Sequence, residues 1–336
     1  MPLPTNLSAL QIGERLQEPL LVLDVEHRGG DTPHTILTLG NQWGRLASAP
    51  FWSSDQPRIA GIARGDVVQV IGELTAYRDR RQLSVTSIRV LPRDGIDWRA
   101  LLPSVGPVTP YWEALDRWRH ELRAPRLRDT LALFYDDLDF RTQYEQCPAS
   151  LTGHHAALGG LLKHTAEVAV IARTIGRVAG ADLELLLAGV LLHDVGKVEA
   201  YTWDGPFGST DAGALIGHVV LGSLMLERRV AAASRPPCSP FELGILHHLI
   251  LSHHGAREFG APVEPITLEA EILHHADDAS AKTASMAQAL GDPQHFVGEA
   301  LLSQRGIWQL DQRRAYRGLS DWGRSESNGG KGAGEE

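Results

Sequence analysis

Leu191-Leu192-His193-Asp194-Val195-Gly196-Lys197 is the stretch on which the reading of this chain turns. An apolar run from Leu183 to Leu192, broken only by Glu184, leads straight into an adjacent histidine and aspartate, and Asp182 stands before it as a candidate N-cap. The run is too short to cross a bilayer but long enough for a buried helix. A buried helix can carry polar side chains inward only if they find partners there, and a metal ion is one such partner. Neighbouring helical positions diverge by about 100°, so His193 and Asp194 can share an ion only near a helix end. Gly196 is read as that end.

Working outward, the same pattern recurs. Upstream lies Gly160-Leu161-Leu162-Lys163-His164-Thr165, where Leu161, Thr165, Val168, Ala172, Ile175 and Ala179 recur at helical spacing and set His164 beside the buried stripe. Downstream lie Gly217-His218, Ser252-His253-His254-Gly255 and His275-Ala276-Asp277. A lone histidine on an apolar helix is more often a hydrogen-bonded core residue than a ligand. The ordered set between residues 153 and 282 is not explained that way. Histidine offers a nitrogen and aspartate offers two oxygens, one for each of two ions, which suits a two-metal centre with ions roughly 3.5 to 4 Å apart. Mixed imidazole and carboxylate ligation favours Mn, Co, Fe or Zn over Mg.

Other residues of this region carry two readings each. Lys197 either stabilises charge developing on a phosphoryl group or is a cation at a helix C-terminus. His154 and His155 either form a polar loop or, His155 together with Lys163, touch a substrate phosphate. His247, His248, His274 and His275 are read as partners of ligating rings or as structural residues rather than as ligands. There is no Walker pattern and no Gly-x-Gly-x-x-Gly after a strand, which removes ATP-driven work. Cys147 and Cys238 have no accompanying base and no disulfide framework, which suits a reducing cytoplasm.

The first third of the 336 residues reads differently. Leu20 to Val25, Thr35 to Leu39, Val67 to Leu74 and Gln82 to Ile88 are short, rich in branched aliphatics and separated by Gly, Asp and Pro, which predicts about five strands and a small closed barrel such as an OB-fold. Tyr77-Arg78-Asp79-Arg80-Arg81 would form a basic hairpin tip beside an oligonucleotide groove. Trp43 and Trp52 are read either as stacking platforms there or as barrel core. The net charge of -9 argues against wholesale coating by nucleic acid, yet residues 1 to 95 hold ten arginines and ten carboxylates, so the excess acidity lies downstream. From 93 to 110 the composition shifts to Pro, Gly and Asp, a predicted linker, and Trp112 to Leu122 and Leu127 to Tyr135 read as leading helices. Met1 to Leu20 lacks a basic segment followed by an apolar core, which predicts neither secretion nor membrane spanning. The predicted organisation is therefore a multi-domain chain: an all-β OB-fold barrel at 14–92, a linker at 93–110, an all-α domain with its leading helices at 111–318, and a disordered tail at 319–336.

His164, His193-Asp194 and Asp277 resemble the signature of the HD-domain metal-dependent phosphohydrolases, an all-helical superfamily, and the added His218, His253 and His254 resemble its binuclear branch. More narrowly, His154-His155-Ala156, the segment Gly159 to Thr165, Ile216-Gly217-His218, Leu251 to Gly255, Glu269-Ala270 and Leu273 to Asp277 resemble the YhaM family of 3′-to-5′ exoribonucleases, in which an OB-fold precedes the HD domain. The resemblance covers most of residues 15 to 315. It implies one metal held by His164, His193, Asp194 and Asp277 and another by Asp194, His218, His253 and His254. It also implies a cytoplasmic phosphodiesterase that uses two divalent transition-metal ions, Mn foremost, to shorten single-stranded RNA, or DNA, from the 3′ end to nucleoside 5′-monophosphates. Asp194 and Lys197 would be catalytic, and His155, Lys163, Tyr77, Arg78, Arg80 and Arg81 would hold the strand. Homo-oligomerisation stays open. So do two alternatives: an HD phosphohydrolase of cyclic dinucleotides or free nucleotides, although the Gly-Tyr-Pro tripeptide of the best-known cyclic-dinucleotide branch is missing, and a non-catalytic nucleic-acid-binding module.

Overall fold

Strand β1 (Arg15–Arg28) is long enough to pair twice. In this computed structural model, which describes residues 5–30, 32–78, 80–292, 295–319 and 322, its first half pairs antiparallel with β5 (Val67–Tyr77) and its second half with β2 (His34–Asn41). A register shift between Val22 and Asp24 separates the halves, as a bulge that bends a strand around a barrel does. With β3 (Gly44–Ala47) and β6 (Arg80–Val90) the order is β3-β2-β1-β5-β6. A parallel bridge from Ser48 to Leu83, and Ala49 N donating to Leu83 O at 2.8 Å, close the circuit between its two ends. This is the strand circuit of an OB-fold. The two-residue β4 (Phe51–Trp52) pairs with β2, and the one-turn helix α1 (Gln56–Ile59) fills the connection to β5.

Branched aliphatics at alternate positions point inward. Leu20, Val22, Leu37, Leu39, Val68, Val70, Leu74 and Leu83 are fully buried, and Leu7 from the preceding segment joins the same core. Arg81 fixes that segment by donating to the carbonyls of Leu7, Ser8 and Leu10 at 2.7 to 3.0 Å. Trp43 and Trp52 are 51% and 45% exposed, so both belong to the surface and not to the barrel core. The predicted tail at 319–336 lies outside the described residues apart from Leu319 and Trp322.

The stretch predicted as a linker is packed. It contains α2 (Trp98–Leu101), whose Leu101 joins Leu102, Leu21, Val67 and Phe207 in a buried cluster shared by the barrel and the helical region. Helices then take over: α3 (Thr109–Glu121), α4 (Pro125–Tyr135), α5 (Leu138–Gln146), α6 (Gly160–Ala179), α7 (Leu183–Leu192) and α8 (Lys197–Ala200). A hairpin that the sequence does not announce, β7 (Tyr201–Thr202) with β8 (Gly208–Ser209), precedes α9 (Asp211–Ile216), α10 (His218–Ala232), α11 (Pro240–Ser252) and α12 (Leu268–Gly291). Local chemistry starts these helices where the sequence marks them. Asp182 accepts from the backbone N–H of Glu184 and Leu185, and Ser239 with Glu242 forms a capping box ahead of α11.

Two buried tyrosines tie the leading helices to the helices that carry the histidines. Tyr135 donates to Leu191 O at 2.7 Å, and Tyr144 shares a 2.6 Å hydrogen bond with Thr165, next to His164. The chain divides into two compact units, Met1–Ser285 and Met286–Glu336. Within the second, Ala289, Phe296, Ile307, Leu310 and Ala315 form a small core of their own.

Candidate metal centre

α7 ends at Leu192, but not because of a left-handed glycine. The backbone tightens instead: His193 N still bonds four residues back to Gly189 O, whereas Lys197 N bonds three back to Asp194 O, and α8 follows. That tighter turn brings both His193 and Asp194 inward. Gly196, predicted as the helix stop, has φ -67° and does a different job. A Cβ there would meet His218 O at 2.1 Å and Gly222 N at 2.3 Å, so its missing side chain lets α10 approach this turn.

Five elements thus converge. His164 comes from the first turns of α6, His193 and Asp194 from the end of α7, His218 from the start of α10, His253 and His254 from the end of α11, and Asp277 from the middle of α12. Two groups result, each with ligand atoms within 4.8 Å of one another: His164, His193 and Asp277, and separately His218, His253 and His254. Asp194 stands between them. Its Oδ2 lies 3.2 Å from His193 Nε2 and 3.6 Å from His164 Nε2, while its Oδ1 lies 3.4 Å from His218 Nε2 and 3.7 Å from His253 Nε2.

The donor set fits metal ions. Among the described residues six buried side-chain polar atoms lack a hydrogen bond, and five of them are here: Nε2 of His164, His193, His218 and His253, and Oδ1 of Asp194. Buried polar atoms are costly when unpaired, and ions would satisfy all five. The other ring nitrogens are committed elsewhere. His193 Nδ1 donates to Val190 O at 2.6 Å, His253 Nδ1 to Ile250 O at 2.6 Å and His254 Nδ1 to Phe259 O at 2.9 Å, which leaves each Nε2 lone pair free to ligate. His164 Nε2 and Asp277 Oδ1 are 2.9 Å apart without the alignment of a hydrogen bond.

The electrostatics agree. Although burial favours the neutral acid, Lys197 and His193 hold the Asp194 carboxyl well below the usual carboxylate range. Burial lowers the His218 imidazole to about 3 and lowers His253 and His164 too, which favours neutral rings able to bind a cation, whereas His193, although burial lowers it, is raised by the Asp194 carboxylate beside it. Lys197, buried, places Nζ 2.6 Å from Asp194 Oδ2. It is the first residue of the one-turn helix α8, and its ammonium is paired with the Asp194 carboxylate.

The remaining predicted residues fall in three places. His155 Nε2 lies 2.7 Å from Glu167 Oε2, and Lys163 Nζ lies 3.8 Å from Glu167 Oε1, both on the His164 side. The His154 ring lies 5.1 Å from that of His164, tilted by 51°, and joins neither ligand group. Tyr77 is 59% exposed, Arg78 and Arg80 are exposed at the tip of the β5–β6 hairpin, and Arg81 is the anchor described above. None of His247, His248, His274 and His275 joins a ligand group. His274 instead bonds His253 O at 3.1 Å, and His247 sits between Ser223 and Glu227. Sequence reasoning missed Tyr201, whose ring lies 6.3 Å from that of His218, and Glu167, which a one-turn offset from His164 could have signalled.

Comparison with known proteins follows the same division. Residues 161–282 match the HD domain family model, so the site belongs to the HD class. The chain is 30% identical over 285 residues to the 3′-5′ exoribonuclease YhaM of Bacillus subtilis (strain 168), covering 83% of this chain and 89% of that protein. It is 31% identical over 317 residues to the protein of the same name from Halalkalibacterium halodurans (91% and 94%), and 31% identical over 319 residues to that from Bacillus pumilus (93% and 98%). No solved structure matches. The chain belongs to the YhaM family. Among the described residues no helix is long and apolar enough to cross a membrane.

Proposed function

We propose that this protein is a cytoplasmic, metal-dependent exoribonuclease that shortens single-stranded RNA from its 3′ end and releases nucleoside 5′-monophosphates. The observation that carries the reading is Asp194, a buried carboxylate that turns one oxygen toward each of two histidine-rich groups. The names of the relatives supply the substrate and the polarity. One ion would be held by His164, His193, Asp194 and Asp277 and a second by Asp194, His218, His253 and His254. Manganese suits this mixture of imidazole and carboxylate, with Co, Fe or Zn able to replace it. Two such ions supply the Lewis acidity that activates water and neutralises charge on a phosphoryl group.

The chain's own residues have distinct tasks in this reading. Although burial disfavours its charge, Lys197 is held above the usual lysine range by the Asp194 carboxylate, so it keeps a fixed positive charge beside the reacting phosphate. His155 and Lys163 line the approach to the His164 side. On the barrel, Tyr77 offers a stacking face and Arg78 and Arg80 offer charge to the strand. The Arg78 guanidinium lies 5.3 Å from the centre of the Tyr77 ring, a cation–π contact that keeps its charge beside the aromatic side chain. Arg81 supports this tip from behind through its hydrogen bonds to three carbonyls.

Incubating the purified protein with 5′-labelled single-stranded RNA and Mn²⁺ tests the function. A ladder that shortens from the 3′ end and disappears with chelator is expected. Internal cuts would replace the reading with an endonuclease, and intact RNA would move the substrate to a cyclic dinucleotide or a free nucleotide. The barrel's part has its own measurement. Arg78→Ala with Arg80→Ala should weaken RNA binding and lower the slope of log affinity against log salt by about 1.4, at roughly 0.7 for each phosphate of a single strand that is no longer neutralised. An unchanged slope would place the strand elsewhere.

A further inference from the structure

Three of the histidines that would hold ions direct Nδ1 at a backbone carbonyl, an acceptor that can never donate. His164 differs. Its Nδ1 lies 3.1 Å from Ser280 Oγ, and a hydroxyl can donate as readily as it accepts. If Ser280 donated to Nδ1, the His164 proton would sit on Nε2, where the ligating lone pair has to be. Something must therefore turn the hydroxyl, and Glu167 is in place to do so: Ser280 Oγ donates to Glu167 Oε2 at 3.0 Å. With that proton committed, Ser280 can only accept from His164 Nδ1–H.

We propose that Glu167 is a positioning residue that acts through Ser280 to fix the His164 tautomer, and through His155 to hold the 153–158 loop against the metal centre. The second arm rests on equally direct geometry. Glu167 Oε2 also accepts from His155 Nε2 at 2.7 Å, and His155 has a left-handed backbone at φ 48°. A residue that carries a Cβ holds that conformation only where its surroundings impose it. The side chain of His155 is only 8% exposed, its carbonyl accepts from Ala149 N at 3.2 Å and Ala157 N at 2.8 Å, and the missing Cβ of Gly160 lets that carbonyl lie close against the start of α6. One carboxylate, on the helix that carries His164, thus connects α12, α6 and the loop.

This inference rests on the metal-centre reading above, and its test separates the two. Protein stripped of metal is titrated calorimetrically with Mn²⁺, and Co²⁺ loading is followed by its visible absorption. In Glu167→Ala, which removes the oxygen that takes the Ser280 proton, one of the two sites should lose affinity roughly 10- to 100-fold, as is usual when a partner of a ligating histidine is removed, while the other is unchanged. Ser280→Ala should do the same, and the double variant should lose no more than either single one, because Glu167 reaches His164 only through Ser280. A carboxylate needed merely for packing would instead give independent, additive losses. Wild-type affinity at both sites in Glu167→Ala, or additive losses, would overturn the proposal while leaving the metal centre intact. A wild-type protein that binds no Mn²⁺ and no Co²⁺ would overturn both.

Discussion

Asp194→Ala should leave a protein that still binds single-stranded RNA and cuts it at least about 10³-fold more slowly, because several kcal/mol of transition-state stabilisation go with the shared ligand. Every other ligand in the proposal serves one group, but Asp194 serves both, with Oδ2 toward His164 and His193 and Oδ1 toward His218 and His253. Its loss therefore weakens two sites at once, and metal analysis should read well under two ions per chain. Lys197 complicates the alanine variant, since its buried ammonium would lose the oxygen that sits 2.6 Å away. Removing one partner of a buried pair costs roughly 3 to 5 kcal/mol, so a lower melting temperature accompanies the lost activity. Asp194→Asn separates the effects: it keeps an oxygen for Lys197 but is a poor bridge, so it should be more stable than the alanine variant and nearly as inactive. RNA binding by fluorescence anisotropy should stay near wild type in both, because the barrel is untouched. Turnover close to wild type in either would remove Asp194 from the reaction.

How much of this is legible in the residues alone depends on the physics that each feature expresses. The helices and strands near the site are legible because burial imposes a period. Leu161, Thr165, Val168 and Ala172 are buried as their spacing predicts, whereas Ile175 is half-buried and Ala179, at the end of the helix, is exposed, and Asp182 caps α7 through its own side chain. The ligand residues are legible because few other roles explain histidines and aspartates placed inside apolar helices. Partners that depend on tertiary geometry are not. Ser280 and Glu167 lie 113 residues apart and carry no mark of their 3.0 Å hydrogen bond, and in sequence Arg81 is indistinguishable from its neighbours Arg78 and Arg80, because only the fold packs the segment from Leu7 to Leu10 against it. The tryptophans are ambiguous for a related reason: an aromatic residue next to a strand suits the inside and the outside of a barrel equally, and Trp43 and Trp52 lie outside. Gly196 departs from its expected role because a glycine after a helix usually supplies a left-handed turn, whereas this one supplies empty space.

That space makes Gly196→Ala the second large effect. With φ -67° and ψ -16° an alanine backbone is comfortable at this position, so any loss is steric and not conformational. The added methyl would meet backbone on the facing helix, His218 O at 2.1 Å and Gly222 N at 2.3 Å, and backbone cannot rotate out of the way as a side chain can. Either α10 moves outward or the turn that holds His193 and Asp194 does. Overpacking of this kind costs about 3 kcal/mol or more where the neighbours are rigid, which should lower the melting temperature by several degrees. The chemical consequence is more specific than the loss of stability. His218 is the first residue of α10 and lies directly over the clash, so its Nε2, now 3.4 Å from Asp194 Oδ1, would be carried away from the carboxylate, whereas His164 and Asp277 belong to other helices. The folded fraction of Gly196→Ala should therefore bind one Mn²⁺ where the wild type binds two, with hydrolysis lost although Asp194 is still present. Two ions bound at wild-type affinity, with an unshifted melting temperature, would show that α10 does not rest on this glycine and that His218 is held in place by something else.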